Sequence, residues 1–310
     1  MKSGILNAYK PKGPTSHDVV DEVRRKTGVK RVGHAGTLDP FARGVLVVGV
    51  GRRATRILDL LKISSKVYWV KMRLGVVTET FDITGEVVEE RECDVSERDV
   101  LEAVESFVGE YDQIPPAYSA RKYKGKKLYE LAREGRIIRL PPKRVKIYRI
   151  WDVELELPEL SFRVEVSPGT YVRSLCMDIG MKLGCGGVAL ELLRESSGNF
   201  HVSTSLNPFE ASSEEIFSSL MSVEEALGDF PGIVLNEKGK RNVLNGVRPR
   251  LSDVSDLRGS FKKGDWVKLV DVSGRILAIA KAERNSSFFE TLKKLERDER
   301  VAKLERVLGE

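Results

Sequence analysis

The sequence predicts an α+β protein. Apolar residues recur at helical spacing in some stretches and alternate in others, and the two kinds of segment follow one another without a regular βαβ repeat. Composition then shifts near residues 227–232, beyond which come short alternating segments with glycine turns. At 310 residues there is room for about two domains, each with its own core.

Each element has a local reason. HDVVDEVRRKTG reads as a helix with Val19, Val20 and Val23 on one face and Gly28 ending it. GVLVVGV is a buried strand, followed by a helix from about Arg52 to Lys62. KVYWVKMRLGVV and GEVVEE are strands flanking the polar turn TETFDITG. Residues 96–110 form a helix whose buried side is Val100, Leu101, Val104 and Phe107. Residues 119–146 have turn residues and little periodicity, apart from a short helix at LYELAREG, and read as a long mobile insertion. VKIYRIWDVELELPELSFRVEVS gives two strands, TYVRSLCMDIGMKLGCG a helix stopped by Gly184, and LELLRESSGNF a strand and turn. A domain boundary is expected near residue 229. FKKGDWVKLVDVSGRILAIAKAER then has the pattern of a small β-barrel, and FFETLKKLERDERVAKLERVL that of a last amphipathic helix.

Composition excludes several classes. Apolar residues make up 41% and charged residues 32%, and no apolar run approaches the ~18 residues that cross a bilayer. MKSGILNAYKPKG has no signal-peptide core, so a cytoplasmic location without membrane contact is expected. Cys93, Cys176 and Cys185 are an odd, scattered set, which argues against a disulfide framework and against structural zinc. His17, His34 and His201 form no metal motif, so no metal is expected.

Net charge is only +6, but it is unevenly spread. Residues 121–149 hold 12 Lys/Arg against Glu130 and Glu134, an excess of +10 that leaves −4 for the rest. A charge run is commonly a solvated face. Here Tyr118, Tyr123, Tyr129 and Tyr148 are interleaved, a mixture suited to phosphate contact and base stacking.

Two motifs compete for chemistry in GHAGTLDPFARGVLVVGVGRRA. GVGRRA has the form G-x-G-x-x-A, but the acid expected about 20 residues on is missing. It reads as tight strand–helix packing. Asp39 precedes Pro40, which keeps it extended; Gly33, Gly36 and Gly44 surround it, and a strand follows. Those residues alone make an Asp-Pro turn. A nucleophilic carboxylate needs a cation to hold it ionised once water leaves, and Arg173 in GTYVRSL is a candidate.

GHAGTLDPFARGVL resembles the catalytic motif of the TruB family of tRNA pseudouridine-55 synthases. YKPKGPTSHDVV, KVYWVKMRLGVVTETFDITGEV, QIPPAYSARKYKGKKLYELAREG and SPGTYVRSLCMDIGMKLGCGG resemble the family in its order, and the C-terminal stretch resembles a PUA RNA-binding domain. The resemblance implies a mixed, largely antiparallel central sheet with flanking helices in residues 1–229, and a β-barrel-like PUA domain in 230–310. It implies isomerisation of uridine 55 in the tRNA T-loop to pseudouridine on a flipped-out base, without a cofactor. The partner is the tRNA T-arm, and the enzyme is expected to act as a monomer with no obligatory protein partner.

Residue by residue, the resemblance makes Asp39 the catalytic aspartate, Arg173 its partner, and Tyr68 a catalytic tyrosine that stacks on the uracil and can take the ribose proton. His34 would face the RNA where the base has left, while Tyr171 and Leu192 would line the uracil pocket. Lys122, Lys124, Lys126 and Lys127 would contact phosphate from a thumb-like loop. Without the resemblance, Tyr68 and Leu192 read as core and His34 as structural. Ala35 and Arg43 depart from residues common in the family and touch only the loop's fine geometry. Other readings are a non-catalytic RNA binder or tRNA-folding chaperone, and an RNA-guided synthase that needs protein partners.

Overall fold

A computed structural model describes residues 3–118, 122–123, 125–127 and 140–309. The elements run β1 (Gly4–Lys10), α1 (Ser16–Thr27), β2 (Val32–His34), β3 (Arg43–Val50), α2 (Arg52–Leu61), β4 (Lys66–Leu74), β5 (Val76–Thr78) and β6 (Val87–Glu90). They continue with α3 (Glu97–Glu105), β7 (Gly109–Gln113), β8 (Lys122–Tyr123), β9 (Lys126–Lys127), β10 (Lys143–Glu156), β11 (Glu159–Val166), α4 (Val172–Lys182), β12 (Gly187–Ser197) and β13 (Phe200–His201). A central sheet has the order β1-β3-β12-β4-β11-β10-β7, with β2 on β3 and β13 on β12. Its pairs are antiparallel except β3 with β12. The fold is therefore mixed α+β with a largely antiparallel sheet.

Local chemistry sets the elements. Thr15 caps α1 in a capping box with Asp18, and Gly28 closes it at φ +68°. β3 is apolar throughout because it is covered on both sides. Leu46, Val48 and Val50 meet Val19, Val20 and Val23, while Val45 and Val47 meet Ala54 and Ile57 of α2. A Cβ on Gly49 would come within 3.1 Å of the Ala54 backbone, so GVGRRA is a packing motif. α3 and α4 bury Val100, Val104, Leu175, Cys176 and Ile179 against Val70, Phe162 and Val164 of the sheet.

Five expectations are corrected. α3 ends at Glu105; Leu101 is exposed and Ala103 is buried in its place, because the helix turns that face to the sheet. Cys93 and Cys185, 92 residues apart, are joined by a disulfide, since tertiary packing brings their Cα atoms to 5.5 Å. Residues 143–146 belong to β10, in register with β7, and not to the insertion. Beyond Gly232 lies a five-stranded sheet, β14 (Gly232–Leu235), β15 (Val254–Arg258), β16 (Trp266–Val270), β17 (Ile276–Ala282) and β18 (Ala302–Val307), ordered β15-β14-β16-β17-β18. Among the described residues it does not close into a barrel.

The fifth concerns the last helix. It runs only from Phe289 to Lys294, Glu296 turns at φ +53°, and AKLERV pairs with β17. Edge pairing outweighs helical amphipathicity there. β8 and β9 form a hairpin around Gly125, while Lys124 and the LYELAREG stretch lie outside the described residues. No helix among the described residues is long and apolar enough to cross a membrane.

The two sheets share a core. Val234, Val270, Ile276 and Ile279 pack in one apolar cluster with Val45, Val47, Ala54 and Ile57. Across the same seam Arg53 pairs with Glu224 at 2.8 Å and donates to the Ile276 carbonyl, and Arg306 pairs with Asp59.

Candidate active site

The loop between β2 and β3 is held by its own backbone. Ala35 donates to Val47 O, and Gly36 turns at φ +92°. Arg194 Nη1 donates to Thr37 O at 3.2 Å and its Nε to Val45 O at 2.6 Å, bracing both ends of the loop. Ser16 Oγ donates to Leu38 O and accepts from Leu38 N. Gly13 N donates to Pro40 O, and Lys10 Nζ donates to Pro40 O at 3.3 Å and Ala42 O at 2.7 Å. Lys10 and Arg194 are buried. With the carbonyls committed to fixed donors, the loop between 37 and 42 has one conformation, and Asp39 is presented from it.

Gly44 fixes where the loop rejoins the sheet. It has φ +112°, and a Cβ there would fall 2.3 Å from Arg194 O. Only glycine permits the β3–β12 approach that sets Arg194 beside the loop. Burial pulls the Lys10 ammonium down to about 8, with the negative charge of Asp39 opposing the shift.

Asp39 Oδ2 lies 2.8 Å from Arg173 Nε. The aspartate is one-third exposed and the arginine only 4%, so the pair is open on the carboxylate side. Arg173 Nη1 donates to Thr80 O at 2.6 Å and Asp82 Oδ2 at 3.0 Å, and Nη2 donates to Tyr118 O at 3.1 Å. One guanidinium thus gathers two carboxylates and two carbonyls. Asp82 is as buried as Arg173, and its Oδ1 accepts from Thr84 N at 3.0 Å and Thr80 Oγ1 at 2.9 Å.

Tyr68 sits on the inward face of β4, opposite Arg194 of β12 and Val164 of β11. It belongs to one apolar cluster with Leu38 and Phe41, on either side of Asp39, and with Val172 and Leu192. Tyr171 is half-buried and stands at the N-terminus of α4, two residues before Arg173. The structure therefore brings Asp39, Arg173, Tyr68, Tyr171 and Leu192 to one end of the sheet. Aromatic, aliphatic and paired charged side chains thus lie side by side there.

His34 lies at the end of β2, half-buried, with Nδ1 enclosed and without a hydrogen-bond partner among the described residues. Burial pulls its pKa below the ordinary histidine value. The backbone of Lys122, Lys126 and Lys127 lies in the β8–β9 hairpin. Asp82, Lys10, Arg194 and Gln113 are the polar residues at this site that the sequence reading passed over. Its one usable signal was FDITG, where an acid sits among threonines in a turn.

The model of the "TruB family pseudouridylate synthase (N terminal domain)" matches residues 24–172. The chain is similar to the "tRNA pseudouridine synthase B" of Thermotoga maritima, 62% identical over 309 residues, covering 100% of this chain and 99% of the relative. Its likeness to the protein of that name from Thermosipho melanesiensis is 56% identity, with 99% of each chain covered. Among solved structures it resembles the crystal structure of the archaeal box H/ACA sRNP Nop10–Cbf5 complex, with TM-score 0.76, 27% identity, and coverage of 99% of this chain and 86% of that one.

Proposed function

The chain belongs to the TruB family and is a tRNA pseudouridine synthase, and from that premise we propose that it isomerises uridine 55 of the T-loop with Asp39 as nucleophile. The observation that carries the reading is the 2.8 Å contact between Asp39 and Arg173.

The chemistry follows from that contact. A carboxylate in water at neutral pH is ionised without help, its ordinary pKa being ~3.9. Once a nucleoside displaces the water, the buried guanidinium replaces it and keeps the electron pair available. The carboxylate attacks ribose C1′ or base C6, or the reaction runs through a glycal intermediate; all three routes reach the same product. The N1–C1′ bond breaks, the uracil turns between Tyr68, Tyr171 and Leu192, and C5 bonds to C1′. C5 loses its proton, N1 takes one up so that the product is an isomer of uridine, and the aspartate is released unchanged. Nothing is oxidised or reduced, so no cofactor is required.

Uridine 55 must leave the stack before it reaches Asp39, at a cost of a few kcal/mol. In this reading His34, which adjoins the loop, takes up space beside the RNA from which the base departs. Residues 1–229 form the catalytic unit and 230–310 a PUA-like RNA-binding unit, with Lys122, Lys124, Lys126 and Lys127 on T-arm phosphates. The chain works as a monomer without a protein partner.

The test is tritium release from tRNA carrying 5-tritiated uridine, with pseudouridine mapped by position, for wild type and Asp39→Asn. Loss of release in the variant at intact tRNA binding supports Asp39. Pseudouridine at a position other than 55 sinks the target, and activity confined to a multiprotein complex sinks the stand-alone reading.

A further inference from the structure

Helix α4 carries Tyr171 and Arg173, yet its N-terminal residue, Tyr171, makes no side-chain cap. Gln113, at the end of β7 and 1% exposed, takes that place. Its Oε1 accepts from Tyr171 N at 2.8 Å, and its Nε2 donates to Tyr171 O at 3.0 Å. The second Nε2 hydrogen goes to the Tyr111 hydroxyl, which donates to Asp178 Oδ2 at 3.2 Å. An amide flip would set oxygen against the Tyr171 carbonyl and nitrogen against its N–H, so the amide has one possible orientation.

The neighbouring residues tighten the same joint. Ser174 Oγ donates to Ile114 O at 3.0 Å, and Arg173 Nη2 reaches Tyr118 O. The first turn of α4 is thus fastened to the 113–118 segment at three points, and Gln113 alone holds both backbone groups of Tyr171.

We propose that Gln113 is the positioning residue for Tyr171 and Arg173, kept in a single amide orientation by the Tyr111–Asp178 pair. The proposal rests on the reading of Tyr171 and Arg173 as site residues. A tilt of the first turn displaces the guanidinium from Asp39 without touching the surface that binds tRNA. Burial pushes the Asp178 carboxyl up to about 6, opposed by the Tyr111 hydroxyl, and burial with the nearby Asp178 charge pushes the Tyr111 phenol up. The Tyr111 hydroxyl therefore stays protonated and keeps donating.

Gln113→Glu is the informative variant because it keeps the shape and removes both donors. When ionised, the introduced carboxylate sets oxygen against Tyr171 O. The expected result near pH 8 is a kcat lower by about tenfold or more, with KM for full-length tRNA changed less than about threefold. Protonation gives the variant side chain an O–H donor again. The groups around it are Tyr111 on β7; Arg173, Cys176 and Asp178 on α4; and Lys143, the register partner of position 113 on β10, whose Nζ donates to Pro168 O. Burial raises the pKa of a carboxyl placed there, while Lys143 and Arg173 pull it down. The ratio of variant to wild-type kcat is expected to climb as pH falls from about 8 to about 5.5.

An unaltered kcat near pH 8, or a ratio that stays flat with pH, overturns the proposal. Should Gln113→Glu not fold, Tyr111→Phe carries the test. A kcat lower by about threefold or more at unchanged KM is expected, and an unchanged kcat overturns it. Arg173→Lys is assayed alongside. Full activity in Arg173→Lys overturns the site reading and this inference together, whereas loss there with an unaffected Gln113→Glu overturns this inference alone.

Discussion

Asp39 and Asp82 both pair with the guanidinium of Arg173: Nη1 donates to Asp82, while Asp39 lies 2.8 Å from Nε as an ion pair outside hydrogen-bond geometry. The two carboxylates differ in access: Asp82 is enclosed with its other oxygen saturated, while Asp39 is open. Asp82 therefore orients the arginine, and the arginine orients Asp39.

Asp82→Asn is expected to lower single-turnover kcat by about tenfold or more while tRNA affinity stays within about twofold, because the guanidinium loses one of two charged anchors. Arg173→Lys is expected to be worse, since an ammonium cannot span both carboxylates. Rapid-quench kinetics alongside filter binding checks this; equal losses in affinity and rate would contradict the assignment.

Lys66 provides a pH test of stability. It is buried on the inward face of β4, its Nζ donates to Lys62 O and Ser64 O, and burial, with the Arg194 charge adding, pulls its pKa from 10.5 to about 8. Between those values the unfolded chain holds a proton that the folded chain has released, so stability contributed by this group rises with pH. Thermal unfolding of wild type and Lys66→Met is expected to diverge in favour of wild type across that window. Parallel curves would show that burial does not lower the pKa of this lysine in the folded chain.

Reducing the Cys93–Cys185 bridge frees a loop with a sequence separation of 92 residues. In the chain-entropy model a loop of that length is worth about 4–5 kcal/mol, so Cys93→Ser is expected to lower the melting temperature by several degrees or more. Calorimetry with and without a reducing agent checks it, the variant being insensitive to reductant.

Replacing Lys126 and Lys127 by glutamine is expected to weaken tRNA binding and to flatten the log–log salt slope by about one per lost phosphate contact. A slope equal to wild type would return the run to a solvated face.

How much of this the sequence shows depends on whether a residue's role is local. Thr15 and Gly28 bound α1 by their own chemistry, whereas Asp39 before Pro40 reads locally as a turn and is singled out only by the family resemblance. Buried polar residues give no such signal. Asp82 stands in a polar turn like any surface aspartate, and only tertiary packing puts it on Arg173. Lys10, Arg194 and Gln113 are ordinary strand residues until the sheet is assembled around them. The stretch after Phe288 satisfies helical and alternating patterns at once, and an unpaired edge on β17 decides for a strand.

The seam formed by Val45, Val47, Ala54 and Ile57 with Val234, Val270, Ile276 and Ile279 has a thermodynamic consequence. Deleting the C-terminal sheet would strip cover from the strand that follows Asp39 and from the helix after it, exposing apolar side chains to water. The two sheets are therefore expected to unfold as one cooperative block, in a single calorimetric transition with agreeing van't Hoff and calorimetric enthalpies. A chain truncated near residue 229 is expected to lose that shared cover and to melt at a lower temperature.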